Sequence, residues 1–509
     1  MKIFKMLFSK IFISALVLLL QVSLVITLLL YFEQYALAFQ IFNAILSVLV
    51  ILGIINKNES PEFKLAWLAV VLVLPLFGLA IYCMFANAKM PMGQYKFIIE
   101  MTCRCKKYSE LSATENKRIY EYLGEYSDVE KYLRATSFSR GHLDNKVDYY
   151  PLGELFYAEL LKELESAEKF IFMEYFIIEG GKMWDGILEI LKRKAAAGVE
   201  VRVMYDDIGC AGLLPGNYYK RLKKYGINCR KFNRFMPIVS GIHNNRDHRK
   251  ITVIDGKTAF TGGVNLADEY INERVRFGHW KDTAIRVKGS AVSNFTVMFL
   301  QAFDAIKKTP SDYGKYLDVQ YERFEGGGYI HPFGDGPNPL YTERIGENNY
   351  INILNSAKHY VYISTPYLIP DYTLINALRN AALRGVDVRI ITPSVPDKKV
   401  VFNMTRSNYK YLLQAGVKIY EYSPGFIHAK GMLSDDVIAF VGTINLDYRS
   451  LVHHYECGAV LYKTPCLKDI KKDFNQTISL SHEVTLQNFK MNFFASLANA
   501  VLSLFSIML

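Results

Sequence analysis

Two short stretches of this chain carry the same reactive side chains at the same spacing. His248-Arg249-Lys250 is followed after four residues by Asp255, then by Gly262 and Asn265. His428-Ala429-Lys430 is followed after four residues by Asp435, then by Gly442 and Asn445, with every internal spacing matched. With 10 His, at most 60 Lys and at most 49 Asp in 509 residues, one His-x-Lys-x4-Asp arises by chance roughly 0.1 times. A second copy in register makes coincidence negligible.

The residue types suit chemistry on a phosphodiester. Such a substrate needs its charge neutralised, a nucleophile, and an acid for the leaving oxygen. Lys250 and Lys430 can bind the non-bridging oxygens. Asn265 and Asn445 can add amide donors. One His can attack phosphorus, forming a phosphohistidine, while the other protonates the leaving group. Donors preset around the developing charge supply electrostatic stabilisation. The candidate catalytic set is therefore His248, Lys250, Asp255, His428, Lys430 and Asp435. No cluster of ligands in the sequence suggests a metal site, and no cofactor is expected.

Lys250 to Ile254 reads as a β-run turning at Asp255-Gly256 into a return strand from Thr258 to Thr261. His and Lys two apart share one face of such a run. The second copy repeats this with Lys430 to Leu433, a turn at Ser434-Asp435-Asp436, and Val437 to Val441. Asp255 and Asp435 stand at the turns, where turn and hydrogen-bond support is the favoured role. A nucleophilic His also needs an orienting partner. Asp282 and Glu456, each near the start of a following strand, are candidates to hydrogen-bond the His of their own half.

The motifs sit inside a longer repeat. Ser166 to Lys169, an apolar strand Phe170 to Ile178, a helical stretch Met183 to Ala197 and a strand after Gly198 make the first pass. Ser356 to His359, Tyr360 to Ile369, Leu374 to Leu383 and a strand after Gly385 make the second. Each pass reads as a β-α-β unit with a parallel crossover. The period is too long for a solenoid and describes a duplicated α/β domain, with one site between two halves about a pseudo-two-fold axis. Gly and Pro are dense from Thr309 to Pro339, which reads as the connection.

Apolar residues concentrate near the N-terminus. Ile11 to Tyr31 and Tyr35 to Asn56 are uncharged, and Leu65 to Ala88 forms a third run with Pro75 inside it. The first is too long for a signal-peptide core and leads into the second, so membrane helices are expected. Lysines precede the first run (Lys2, Lys5, Lys10), and basic residues follow the third (Lys89, Lys96, Arg104, Lys106, Lys107). Both groups pull toward the same side, so orientation stays open. The net charge of +11 suits an anionic partner. Seven Cys in no repeated frame argue against a disulfide framework.

These residues resemble the phospholipase D superfamily, defined by a paired His-x-Lys-x4-Asp, and within it the bacterial cardiolipin synthases. Lys64-Leu65-Ala66-Trp67 and Leu74-Pro75-Leu76-Phe77-Gly78 are similar to their membrane anchor. Thr261-Gly262-Gly263-Val264-Asn265 with Asp268-Glu269-Tyr270 resembles their first motif tail, and Val441 to Asp447 with Arg449-Ser450 resembles the second. The resemblance implies ping-pong transfer. A phosphatidyl group passes from one phosphatidylglycerol to a His, taken to be His248, with His428 as acid. A second phosphatidylglycerol then accepts it, giving cardiolipin and glycerol. The chain departs from the pattern at Asp247 and His454, where relatives often carry Asn, and in its extra apolar run.

The implied organisation is an anchor over 1–110, with apolar segments at about 11–31, 35–56 and 65–88, and a linker over 111–144. A first phospholipase D-type domain covers 145–308, a connection 309–340, and a second domain 341–482. An apolar segment, interfacial or packed on the catalytic region, covers 483–509. The expected home is the bacterial cell membrane, multi-pass, with anionic phospholipid as partner. A phospholipase D or phosphatidylserine synthase, using water or serine as acceptor, shares the motifs. A nuclease is disfavoured by the membrane runs and by the lack of a basic stretch interleaved with stacking aromatics. Intact motifs argue against a catalytically dead scaffold.

Overall fold

A computed structural model describes residues 33–86, 90–234 and 244–489, with a few isolated positions outside them. Most of the first apolar run and of the C-terminal apolar segment lies outside the described residues. By internal contacts the chain divides into an N-terminal unit, described over 33–86, and a larger unit over 90–234 and 245–489.

The N-terminal unit is helical. Glu33–Ile55 forms one helix, of which Leu37–Ile55, 19 residues, is long and apolar enough to cross a membrane. At 1.5 Å per residue that stretch spans about 28 Å, close to the thickness of a hydrocarbon core. Its side chains are turned outward, as at Leu37, Ile45, Leu49 and Leu52. The third apolar run, expected as one segment over 65–88, is instead two helices, Pro61–Val73 and Pro75–Phe85. Leu74 leaves the helical region (φ −133°, ψ 74°) because the Pro75 ring crowds the residue before it. The two helices touch through Trp67 and Tyr82, whose rings meet edge to face at 5.2 Å. Neither helix reaches across a bilayer as a straight rod, at about 20 Å and 17 Å.

The larger unit holds two large sheets built on the repeat, with two short two-stranded pairs beside them. In the first half, β1 (Phe170–Tyr175) lies parallel to β2 (Glu200–Asp206), which lies parallel to β3 (Asn228–Phe232). On its other side β1 pairs antiparallel with β4 (Lys250–Ile254), which forms a hairpin with β5 (Thr258–Gly262). A short strand β6 (His279–Lys281) leads into β7 (Ala284–Lys288), which pairs with β5 in this seven-stranded sheet. Helix Lys182–Ala196 makes the crossover from β1 to β2, burying Met183, Trp184, Ile187, Ile190 and Leu191 on one face.

The second half repeats the plan in a nine-stranded sheet. β8 (Tyr329–Asp335) comes first in the chain, then β9 (Tyr360–Ser364), β10 (Asp387–Pro393) and β11 (Lys418–Tyr422), the last three mutually parallel in sequence. A short β12 (Gly425–Ile427) precedes the hairpin of β13 (Gly431–Ser434) and β14 (Ile438–Gly442). β15 (Glu456–Tyr462) pairs with β14 and with β8. Asp371 caps the crossover helix Tyr372–Leu383 by accepting the Leu374 N–H at 3.1 Å.

Three stretches differ from the expected layout. The Gly/Pro-rich connection over 309–340 contains β8, a fully buried strand of the second sheet. Helices Ala113–Leu123 and Ser127–Thr136, inside the expected linker, bury Ile119, Leu123, Val129 and Leu133 in the second half's core. Helix Met92–Ser109, assigned to the anchor by sequence, puts Met101 and Cys105 into the core shared by both halves. That core joins Ile251, Val253 and Ile285 of the first sheet to Leu433, Val441 and Ala459 of the second. None of the seven cysteines is joined in a disulfide.

Candidate active site

The first His-Lys pair sits where β4 begins, beside the carboxyl end of β1: Lys250 pairs with Tyr175, the last residue of β1. The second sits where β13 begins, with Gly431 opposite Ser364, the last residue of β9. Crevices at the carboxyl ends of parallel strands are where α/β sheets place ligands.

The halves exchange backbone at this point. β12, which ends one residue before His428, runs parallel to β6 of the first half, with Ile427 opposite Lys281. The His428 N–H donates to the Lys281 carbonyl at 2.7 Å. In the matching exchange Asp247 bridges Tyr455, the His248 N–H donates to the Tyr455 carbonyl at 2.9 Å, and the Tyr455 N–H donates to Arg246 at 2.8 Å. Each exchange sets a histidine beside the residue that follows its partner strand in the opposite half, and that residue is a carboxylate both times. The His248 Nδ1–H faces Glu456 at 2.9 and 3.0 Å, and His428 Nδ1 faces Asp282 at 2.6 Å. Asp282 and Glu456, expected to serve the His of their own half, serve the other one. The cause is the crossed strand pairing, which linear spacing does not encode.

The two pairs are not equivalent. Lys250 Nζ donates to the His248 carbonyl at 2.6 Å and leaves Nδ1 to Glu456. Lys430 Nζ donates to the His428 carbonyl, but also lies 2.8 Å from His428 Nδ1, where it competes with Asp282. The carboxylates differ as well. Thr443 Oγ1 donates to Glu456. At the matching position Gly263 has no side chain, and a Cβ there would lie 2.0 Å from Asp282 Oδ1. Gly262 and Gly442 answer a different constraint: a Cβ on either would strike the backbone of the neighbouring strand, at 2.3 Å from Thr283 O and 2.6 Å from Cys457 O.

Burial dominates the electrostatics. The four His and Lys side chains are almost fully enclosed. Burial, then the Lys250 and Lys430 charges, holds His248 well below the usual histidine range, and burial with the same lysines does so for His428. Burial also pushes Lys250 down to about 8 and Lys430 down to about 7, against the pull of Glu456 and Asp282. Asp282 is pushed up to about 7 by burial, opposed by Lys430. The two His-Lys pairs thus form a buried cluster in which burial works against the charge of both lysines. Phe176 walls His248, with ring centroids 5.1 Å apart, and Tyr270 and Trp280 wall His428, each at 5.5 Å.

Four of the sequence candidates make their hydrogen bonds away from the His-Lys pairs. Asp255 accepts the backbone N–H groups of Glu168, Lys169 and Phe170 at 2.7–2.8 Å. Asp435 accepts those of Lys358, His359 and Tyr360 at 2.7–2.9 Å. Each clamps the start of its central strand at the far end of the hairpin strand, about 16 Å of chain from its Lys at ~3.3 Å per residue. Their hydrogen bonds are those of turn support. Asn265 accepts the Ile177 N–H at 3.1 Å and donates to the Tyr270 hydroxyl at 2.7 Å; Asn445 donates to the Ser450 hydroxyl at 3.0 Å. These hydrogen bonds stay within each Asn's own half and brace the loops after the hairpins.

Other residues enter the site without a sequence signal for it. Asp206, at the end of β2, is paired with Arg246 and accepts the Asp247 N–H at 3.1 Å, fixing the approach to His248. Asp247 in turn accepts from Arg249 Nε at 2.9 Å, which accounts for an acid before the first His: it balances the buried Arg249, where the second half has Ala429. His454 lies against His248, ring centroids 5.5 Å apart. Although no metal-ligand cluster is visible in the sequence, the fold gathers donor atoms of His248, His454 and Glu456 within 4.8 Å of one another.

Comparison with known proteins matches this architecture. The family described as "Cardiolipin synthase, PLD-like domain" matches residues 160–280 and 350–478, one stretch in each half. "Phospholipase D-nuclease N-terminal" matches residues 45–86. A cardiolipin synthase of Alkalihalophilus pseudofirmus is 32% identical over 87% of this chain and 88% of its own length. The chain belongs to the cardiolipin synthase family. A cardiolipin synthase of Staphylococcus aureus is 33% identical over 85% of this chain and 88% of its own. An uncharacterized protein of Streptococcus mutans is 45% identical, over 86% and 94%. Among solved structures, phosphatidylserine synthase of Haemophilus influenzae overlays with a TM-score of 0.56 at 15% identity, covering 75% of this chain and 97% of that one, which is a likeness of fold. The doubled phospholipase D-type α/β architecture read from the repeat is the one the family match describes.

Proposed function

We propose that this phosphatidyl transferase is a cardiolipin synthase that joins two phosphatidylglycerol molecules through a phosphohistidine. The observation that carries the reading is the crossed pair of His-carboxylate contacts, which makes one buried site from two half-motifs. Glu456 takes the Nδ1 proton of His248, so the Nε2 lone pair is available for attack. In the first displacement Nε2 bonds to phosphorus, the bond to the terminal glycerol oxygen breaks, and His428 gives that oxygen a proton. In the second, His428 takes the proton from the terminal hydroxyl of another phosphatidylglycerol, whose oxygen displaces His248. One cardiolipin and one glycerol result. Lys250 and Lys430 hold the phosphoryl oxygens.

The protonation states support this order. Burial and the lysine charges keep His248 neutral in the free enzyme, as a nucleophile must be. His428 is also held neutral there, and entry of a phosphodiester anion offsets the lysine charges that depress it, so it can take the proton it later donates. His248, undisturbed in its Glu456 contact, is the nucleophile; His428, whose Nδ1 is contested by Lys430, is the acid.

The net charge of +11 and the Leu37–Ile55 helix support an anionic membrane substrate. We read the chain as multi-pass in the bacterial cell membrane, with the run at 11–31 as a further span.

Purified full-length enzyme in phosphatidylglycerol vesicles is expected to release one glycerol per cardiolipin formed. Phosphatidic acid as sole product, or preferential phosphatidylserine when serine is added, would move the reading to phospholipase D or phosphatidylserine synthase. Trapping the phosphoenzyme on His428 and not His248 would reverse the roles.

A further inference from the structure

We propose that His248, His454 and Glu456 form a binding site for a Zn²⁺-class transition-metal ion, and that its occupation switches the enzyme off.

The donors are of one kind and in one place. Two imidazoles and one carboxylate lie with their ligand atoms within 4.8 Å of one another. Glu456 Oε1 stands 2.9 Å from His248 Nδ1 and 3.6 Å from His454 Nδ1. Ligand atoms of a tetrahedral zinc with bonds near 2.0–2.1 Å are separated by about 3.3 Å, and the two distances straddle that value. The third pair, His248 and His454, lies within 4.8 Å and has to close toward the same separation for the ion to seat.

His454 supplies the second observation. Neither buried ring nitrogen makes a hydrogen bond among the described residues, Nδ1 lying 3.6 Å from Glu456 Oε1. Buried imidazoles ordinarily satisfy at least one nitrogen, so this ring is short of a partner at the edge of the cluster. Burial holds it neutral, the form that ligates metal. Two nitrogens and one oxygen suit zinc, copper, nickel or cobalt; they do not suit magnesium or calcium, which take six or more oxygens. Three protein ligands leave a fourth position for water.

Occupation would block turnover directly. The ion takes the Nδ1 position of His248, the Nδ1 proton leaves to solvent, and Glu456 turns from orienting the ring to ligating the ion. This inhibitory consequence rests on the reading of His248 as nucleophile; the binding itself does not.

The test uses full-length enzyme in detergent micelles with Zn²⁺ as the probe. Competition against a fluorescent chelator reads stoichiometry and Kd, and activity is read with and without Zn²⁺, then after EDTA. Wild type is expected to bind one Zn²⁺ per chain and to lose activity over the same concentrations, reversibly. His454→Asn removes a ligand and is expected to weaken Kd by at least the roughly 10–100-fold typical of losing a supporting group at such sites. His454→Cys keeps a donor and is expected to hold tight binding, which separates ligand loss from damage to the fold. Equal binding by wild type and His454→Asn, or no binding by wild type, overturns the site. Stoichiometric binding without inhibition overturns the switch. Failure of the catalytic reading shows separately, as activity surviving in His248→Ala.

Discussion

Glu456, from the second half of the chain, accepts a hydrogen bond from His248, in the first, at 2.9 Å. Asp282 makes the reciprocal contact with His428 at 2.6 Å. Neither half therefore contains a complete His-carboxylate pair. The duplication builds one site by crossing partners, and each catalytic ring is held by the half it does not belong to.

Removing either carboxylate's charge should separate two phenotypes. Glu456→Gln leaves His248 without its acceptor and should abolish a trappable phosphoenzyme, with turnover falling about 10²–10⁴-fold. Asp282→Asn acts on His428 and should slow turnover by a similar factor. With a leaving group that needs no proton, however, it should still accumulate phosphohistidine on His248. Identical behaviour of the two variants with that substrate would refute the division of labour.

The turn aspartates should report on stability and not on chemistry. Asp255→Asn weakens a clamp of three backbone donors. The loss expected is about 1.5–3 kcal/mol, the scale of hydrogen bonds to a charged group. Asn tolerates the positive φ of 52° there, so the backbone is not an added source of strain. Thermal unfolding should show a lower Tm while turnover per folded molecule stays near wild type. A large fall in kcat at unchanged Tm would return Asp255 to the catalytic set.

The lysines set an alkaline limit. Burial lowers Lys250 to about 8 and Lys430 to about 7. A lysine carries its charge below its pKa and loses it above, and the charged form is the one that binds phosphate. The quantity kcat/KM reports the free enzyme, so it should fall as pH rises through about 7 to 8. Lys430→Arg, which keeps its charge at these values, should extend the plateau upward. A profile flat to pH 9 in wild type would contradict the assignment.

Gly263→Ala is a test by a single methyl group. Its Cβ would meet Asp282 Oδ1 at 2.0 Å, so the carboxylate must move away from His428. Activity should fall by at least about 10²-fold, the low end for losing acid–base assistance. Membrane association, followed by flotation with vesicles, should be unchanged. Wild-type activity would mean that Asp282 is not needed where it stands.

Much of the site was legible in the chain because its parts are local. The His-Lys pairs follow from spacing two on an extended run, and the turn at Asp255 from Asp-Gly chemistry. The supporting role of Asp255 and Asp435 was legible for the same reason. The broken helix at Leu74 also had its cause in view, in Pro75, but a run of apolar residues reads as continuous whether or not the helix is. Tyr329–Asp335 was hidden by its Gly and Pro, residues that mark connections far more often than buried strands. Asn265 and Asn445 read as phosphate donors from residue type alone, whereas their bonds to Tyr270 and Ser450 appear only in the fold.

By itself the sequence determined the reaction class: two matched His-Lys motifs in a duplicated α/β frame, on a chain with an apolar N-terminal region. Repetition and period are one-dimensional properties, and they survive without coordinates. Only the tertiary structure decided which carboxylate holds which histidine, because that depends on β6 pairing with β12 and on Asp247 bridging Tyr455. Contacts between residues 146 and 208 positions apart have no local signature. The same crossing sets His454 beside His248 and leaves Gly263 and Thr443 to make two copies of one motif unequal.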